Sequence, residues 1–359
     1  MDTYDFKELE GQLKDKRAKV DVDRINFSVR EIVRMYADNE LIIAPSYQRK
    51  YRWPKNVASR FIESIFPGLP IPPIFVATND NFSWEVVDGL QRISTLILYM
   101  ADDENVRNSV SSPHTLKLQD LEILTELNGM GYNDLPQPLK LYLARQALQV
   151  IALTDKSDKS VRFDLFERLN TGSISLSPQE VRTAVYGGRF LSFIEELSTD
   201  RHFASLLKLQ AKNKNDGTKT EQVLKFFAYK NDSASFNGAV TKFLNSYAEA
   251  MEKDNSRFDY INEERIFRAT MEYLANLMGG DPFLRSGTKV TPLVQFEAAA
   301  VGAGILIQNG IELKTPKIDW LNDEALVKAS TGGSNTRAML DRRINRAMQI
   351  FSGQVDVLR

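Results

Sequence analysis

Two regimes of hydrophobic patterning divide the chain. Over residues 25–187 short apolar runs alternate with helical stripes, and from 188 onward only the helical spacing persists. Ile25 and Phe27 alternate with polar neighbours as a short strand does. Ser28-Val29-Arg30-Glu31 then has the form of a capping box, opening a helix with Val29, Ile32, Val33 and Tyr36 on one face. Leu41-Ile42-Ile43 reads as a strand stopped by Pro45, since proline cannot donate to a ladder. Pro54 opens a second helix carrying Val57, Phe61, Ile62 and Ile65. After prolines 67, 70, 72 and 73 the pattern predicts a strand at Ile74–Val76 and another at Trp84–Val87. The second ends at Asp88-Gly89, and a helix runs from Gln91 to Met100.

Residues 101–135 hold seven acids against Arg107 and Lys117, and read as a loop-rich insertion. A helix near 137–146, a strand at 148–153 and a helix at 161–169 follow. Ser177-Pro178-Gln179-Glu180 combines an N-cap serine, proline at the first helical position and glutamate at the third. Beyond Gly187-Gly188, helices are predicted near 220–230, 236–252, 260–278, 292–308 and 335–351, with no strand and no internal repeat. The fold class is therefore α+β: a leader over 1–24, an α/β domain over 25–187 and an α-helical domain over 188–359.

Composition narrows the chemistry. The 359 residues are 43% apolar, enough for a sizeable core, and include no cysteine and only His114 and His202. That excludes disulfides, thiolate nucleophiles, iron–sulfur clusters, cysteine-ligated zinc and three-histidine metal sites. The net charge of −1 argues against a uniform basic field, although not against a local basic patch. A start charged from the second residue is no secretory signal, and the longest apolar stretch, 298–307, is too short to cross a bilayer. It reads as a buried helix. A soluble, cytoplasmic protein without membrane contact is expected.

Trp84 to Thr95 is the most informative segment: a strand, a glycine turn and a helix start. Unpaired N–H groups of a first helical turn make an anion site, Arg92 can grip phosphate, and Ser94 or Thr95 can donate a hydroxyl. Asp88 can hold Mg²⁺ or orient water. The alternative is a structural corner in which Asp88 caps the helix and pairs with Arg92. Upstream, residues 47–53 pack three cations and three aromatics into seven positions. Such a segment suits phosphate and base, or else is a charged loop anchored by Tyr51 and Trp53.

Taken together, Tyr47-Gln48-Arg49, Gly68-Leu69-Pro70-Ile71-Pro72-Pro73-Ile74-Phe75, Val87-Asp88-Gly89-Leu90-Gln91-Arg92 and Phe166-Glu167-Arg168-Leu169-Asn170-Thr171-Gly172 resemble the N-terminal domain of GmrSD-type modification-dependent restriction enzymes. The resemblance covers roughly 25–190. It implies a ParB/sulfiredoxin-like fold and an Asp-Gly-Gln-Gln-Arg signature tied to nucleotide hydrolysis. Asp88, Gln91 and Arg92 then form the catalytic set, with Mg²⁺ at Asp88. Tyr47, Gln48, Arg49, Gly89, Ser94, Thr95, Arg168 and Asn170 join the nucleotide pocket. Leu90 stands where the signature has its first glutamine, so hydrolysis hinges on whether that side chain meets the nucleotide or the core. The histidine-dependent nuclease that follows such domains has no counterpart around His114 or His202, which implies a separate nuclease or modification protein as partner.

The helical half adds two basic features. Residues 201–230 carry seven Lys or Arg against Asp216 and Glu221, and the turn 332–336 precedes Arg337, Arg342, Arg343 and Arg346. Lys208, Lys212, Lys214, Arg337, Arg342 and Arg343 are thus candidates for DNA contact, with a solvated surface or a salt-bridged terminal helix as the alternative. The leading expectation is an NTP-binding and NTP-hydrolysing regulatory subunit of a bacterial restriction or anti-phage system, using Mg²⁺. Its rivals are a DNA-binding or protein-interaction module without turnover, and a Mg²⁺-dependent nuclease of ParB-like type.

Overall fold

The computed structural model describes residues 6–17, 20–43, 51–79, 81–110, 114–154, 156–157, 159–169, 177–213, 216–332 and 335–355. The chain forms two compact units, 1–175 and 176–359.

In the first unit, β1 (Val22–Ser28), β2 (Leu41–Ile42), β3 (Ile74–Thr78), β4 (Trp84–Asp88) and β5 (Ala147–Leu153) make one mixed sheet in the order β1-β5-β3-β4-β2. The β1–β5 and β3–β4 pairs are antiparallel, while β3–β5 and β2–β4 run parallel. The helices are α1 (Phe6–Arg17), α2 (Val29–Ala37), α3 (Lys55–Ile65), α4 (Leu90–Met100), α5 (Glu104–Val110), α6 (Gln137–Arg145) and α7 (Lys159–Leu169). Alternation along the strands puts Phe27, Trp84, Ile74, Val76 and Val150 on one face, against Ile32 of α2. Ser28 caps α2 as its sequence predicts, its hydroxyl accepting from Glu31 N.

Three expectations change. The leader holds the exposed helix α1 at 6–17, in keeping with a solvated leader or frayed helix, but it ends before 24, since β1 begins at Val22, where Val22 to Arg24 pair with Leu153 to Ile151. Val57 is 38% exposed, since the inward stripe of α3 runs through Ala58, Phe61, Ile62 and Ile65. The acidic stretch 101–135 is not merely surface. Leu116, Leu118, Leu121, Leu127 and Leu135 are buried, and two groups on α3 hold its backbone. Glu63 Oε1 accepts from Ile123 N (2.8 Å) and Leu124 N (2.7 Å), and Ser59 Oγ accepts from Gln119 N at 2.9 Å.

The second unit contains α8 (Pro178–Tyr186), α9 (Arg189–Leu197), α10 (Arg201–Leu206), α11 (Thr218–Asp232), α12 (Val240–Lys253), α13 (Tyr260–Leu277), α14 (Leu293–Gln308), α15 (Glu324–Ser330) and α16 (Arg337–Phe351). No strand occurs among its described residues. The capping box of α8 is complete, with Ser177 Oγ accepting from Glu180 N and Glu180 Oε2 from Ser177 N. Because α8 packs on α11 and α12, it belongs with the helices, so the division precedes the 187/188 boundary expected from the sequence. The apolar stretch 298–307 lies in α14 and is buried as expected. A Cβ on Gly302 would stand 2.8 Å from Ala347 Cβ, so its absence lets α16 approach closely. No helix among the described residues is long and apolar enough to cross a membrane.

Candidate functional site

The strand-to-helix corner at Asp88 is built by backbone geometry. Gly89 has φ +105°, a conformation that L side chains resist, and a Cβ there would meet Ile74 at 3.1 and 3.3 Å. This turn starts α4 directly at the end of β4, where Gly89 serves as N-cap without a side-chain bond.

Arg92, one turn into α4, ties the corner together. Its Nη2 donates to Asp88 Oδ2 at 2.5 Å, and its Nη1 donates to Pro73 O at 3.0 Å and to Pro72 O. The guanidinium is only 11% exposed, whereas the Asp88 side chain is 40% exposed. Arg92 is thus committed to protein acceptors and braces Asp88 against the proline loop, rather than standing free as a phosphate clamp. The pairing half of the structural-corner alternative is present. The capping half is not, since Gly89 and not Asp88 is the N-cap.

Gln91 works in the opposite direction. Its Oε1 accepts from Arg52 N (2.9 Å) and Trp53 N (3.1 Å), fastening the chain that directly follows Tyr47-Gln48-Arg49 onto α4. Thr95 Oγ1 donates to Gln91 O at 2.7 Å and lies 3.2 Å from the Tyr51 hydroxyl. Burial raises the Tyr51 phenol above its ordinary value, and the Thr95 hydrogen bond opposes that rise. Ser94 and Thr95 are 1% and 0% exposed, so neither hydroxyl is presented to a surface ligand. The reason is that α4 is buried nearly all round, leaving only its first turn partly open.

The structure therefore unites Asp88, Gly89, Gln91 and Arg92. Arg168 is exposed near the end of α7, a helix that packs on β4. Tyr47, Gln48, Arg49, Asn170 and Lys214 lie outside the described residues, as does the side chain of Lys212. Among the described residues no group of three or more His, Asp or Glu is placed to hold a metal ion.

Glu85 is the residue that sequence reading undervalued. It projects from β4 toward the face that α7 covers, near Arg162, whose Nη1 and Nη2 donate to Thr78 O and Thr154 O at 2.9 Å each. Its Oε1 is buried without a hydrogen-bond donor. Burial pushes its carboxyl up to about 7, with Arg162 pulling the other way. A glutamate between Trp84 and Val86 is the only sequence signal for it.

In the helical unit the terminal helix α16 follows the salt-bridged alternative, capped by Thr336, while Arg343 departs from the DNA-contact expectation. Arg343 is 2% exposed and cannot reach a duplex, because it shares the inward stripe of α16 with Leu340, Ile344 and Ala347. Arg346 donates to Asp323 at 3.0 and 2.7 Å, and Arg337 donates to Ala234 O at 2.5 Å. Within 201–230, Lys225 is half-buried and Lys230 buried, and both are paired, with Glu297 at 3.0 Å and Glu263 at 2.9 Å. Lys208 and Arg342 remain exposed.

Comparisons with curated proteins and with solved structures find no match to the chain. Residues 29–187, a little under half of the chain, match the family model of the GmrSD restriction endonuclease N-terminal domain, so the stretch that holds the Asp88 corner is similar to that domain.

Proposed function

We propose that this protein is a nucleotide-binding, nucleotide-hydrolysing regulatory component of a restriction or anti-phage system that works with a separate effector. The observation that carries the reading is the family match over 29–187, which takes in the whole corner from Pro72 to Thr95. The parallel with a ParB-like fold belongs to the same proposal, supported by a mixed five-stranded sheet.

The geometry suits this role with a revised division of labour. Asp88 gives Oδ2 to Arg92 and remains 40% exposed, which leaves Oδ1 for water or for a Mg²⁺ ion carried in with the phosphates. One carboxylate is enough for Mg²⁺, which keeps its waters and takes its other ligands from the triphosphate. Arg92 is a positioning residue that holds Asp88 in place. Gln91 positions the backbone at 52–53 beside the corner. The first N–H groups of α4, an eleven-residue helix, face the same corner and favour an anion. Leu90 leaves turnover to depend on Asp88 and on a water it orients.

Nucleotide binding and phosphate release, measured for wild type and Asp88→Ala with GTP, ATP and CTP in Mg²⁺, test the proposal. Wild type is expected to release phosphate and Asp88→Ala to lose at least tenfold of that rate. Absence of nucleotide binding by either protein refutes it.

A further inference from the structure

A concavity of the size of a ligand site lies in the helical unit. It is a cleft of about 630 Å³ between the end of α11, the exposed side of α12 and the turn that precedes α13. That volume lies in the range of small-molecule sites, which is 300–1,000 Å³ as a rough guide. Its floor is aromatic: Phe243, Tyr247 and Phe258 are 6%, 4% and 4% exposed. Phe243 is backed by Tyr229 in a stacked pair with centroids 5.6 Å apart, so the floor is rigid. The rim carries two exposed cations, Lys242 on α12 and Arg257 before α13, with Asp232 half-buried at the end of α11.

One end of the cleft is a fixed polar array. Lys230 Nζ donates to Glu263 Oε1 at 3.0 Å and to Asn231 Oδ1 at 2.7 Å, and Asn231 Nδ2 donates to the Tyr247 hydroxyl at 3.2 Å. Glu263 is 8% exposed and ion-paired with Lys230, Oε2 to Nζ, at 2.9 Å. Asp232, half-buried at the same end of the cleft, offers a carboxylate that suits an exocyclic amino or sugar hydroxyl donor. The charges at this end cancel between Lys230 and Glu263. Arg257 is shared with Asp254 at 3.2 Å, and Lys242 has no acid partner among the described residues. A ring to lie on aromatic side chains, donors for a carboxylate and an anion for two exposed cations define one ligand chemistry.

We propose that this cleft binds a nucleoside monophosphate unit, its base against Phe243, Tyr247 and Phe258 and its phosphate at Lys242 and Arg257. The unit comes either as a free nucleotide or as one nucleotide turned out of a DNA strand. The site lies wholly within 231–263 and is separate from the Asp88 corner.

The test uses the full chain in an Asp88→Ala background, so that nucleotide held at the β4–α4 corner does not dominate the signal. Calorimetric titration with AMP, GMP, CMP and dTMP reads the free-nucleotide source. Fluorescence polarisation with a labelled duplex containing one mismatched pair reads the strand source, because an unpaired base costs least to extrude. Two surface variants probe the cleft: Lys242→Ala/Arg257→Ala, which removes the phosphate grip, and Ser246→Trp, which fills the mouth from exposed α12. At least one ligand is expected to bind, tenfold or more weakly in the double variant and undetectably in Ser246→Trp, with melting temperatures unchanged. Binding that survives Ser246→Trp, or no binding of any of these ligands, overturns the proposal. Loss of phosphate release at the Asp88 corner leaves it standing.

Discussion

Glu85→Gln is expected to make the α/β unit more stable above neutral pH and to leave it unchanged in acid. The folded carboxyl stands at about 7 against an ordinary 4.5. Between those values the folded state keeps a proton that the unfolded state has released. Stability therefore falls as pH rises from about 4.5 to about 7, then levels off. At 1.36 kcal/mol per pH unit the loss is of order 3 kcal/mol, and a neutral amide avoids it. Arg162 does not depend on Glu85 for partners, since it donates to Thr78 O and Thr154 O, so the substitution leaves no stranded guanidinium. Trp53 and Trp84 report on this unit and Trp320 on the other, so urea unfolding followed by tryptophan fluorescence in a Trp320→Phe background isolates the relevant transition. The two proteins should match at pH 4.5 and diverge steadily to pH 7.5, with the glutamine variant the more stable. Parallel curves across that range would mean that Glu85 ionises normally in the fold, and the burial argument would fail.

Gly89→Ala puts a Cβ at 3.1 Å from Ile74 on a backbone with φ +105°, and should cost roughly 1–3 kcal/mol by denaturant unfolding. A cost below a few tenths would show that the corner relaxes. Ser177→Ala removes the α8 cap and the hydroxyl's bond to Asp216 O, so a loss of about 1–2 kcal/mol is expected in the helical unit. Glu297→Ala takes an acceptor from Lys225 and Gln222, which donate to it at 3.0 Å each, and leaves Lys225 with Glu221 at 3.2 Å; it should destabilise by about 1–3 kcal/mol. Lys225 is held protonated above its ordinary value: burial opposes the charge, but Glu297 and Glu221 outweigh it. Adding Lys225→Met should therefore recover part of the Glu297→Ala loss, which a double-mutant cycle measures.

Local rules carried much of this protein in its sequence. The caps at Ser28 and Ser177, the strand–glycine–helix corner at 84–100 and the helices of the second half follow from side-chain periodicity and turn chemistry, which act over a few residues. The division into an α/β and an α-helical part was likewise legible, displaced by one helix because α8 finds its apolar partners on α11 and α12. Residue types at the corner were readable too, but their allegiances were not. Arg92 turned to the carbonyls of Pro72 and Pro73, twenty residues upstream, and Gln91 to the backbone at 52–53. Only the folded chain sets those distances. The same holds for charge. A count of seven bases over 201–230 cannot tell Lys208, which faces solvent, from Lys225 and Lys230, which meet glutamates from α14 and α13. Sequence specifies which groups carry charge and which faces are apolar. Tertiary packing decides which charges leave water, because only the assembled neighbours can replace the hydration that each one loses.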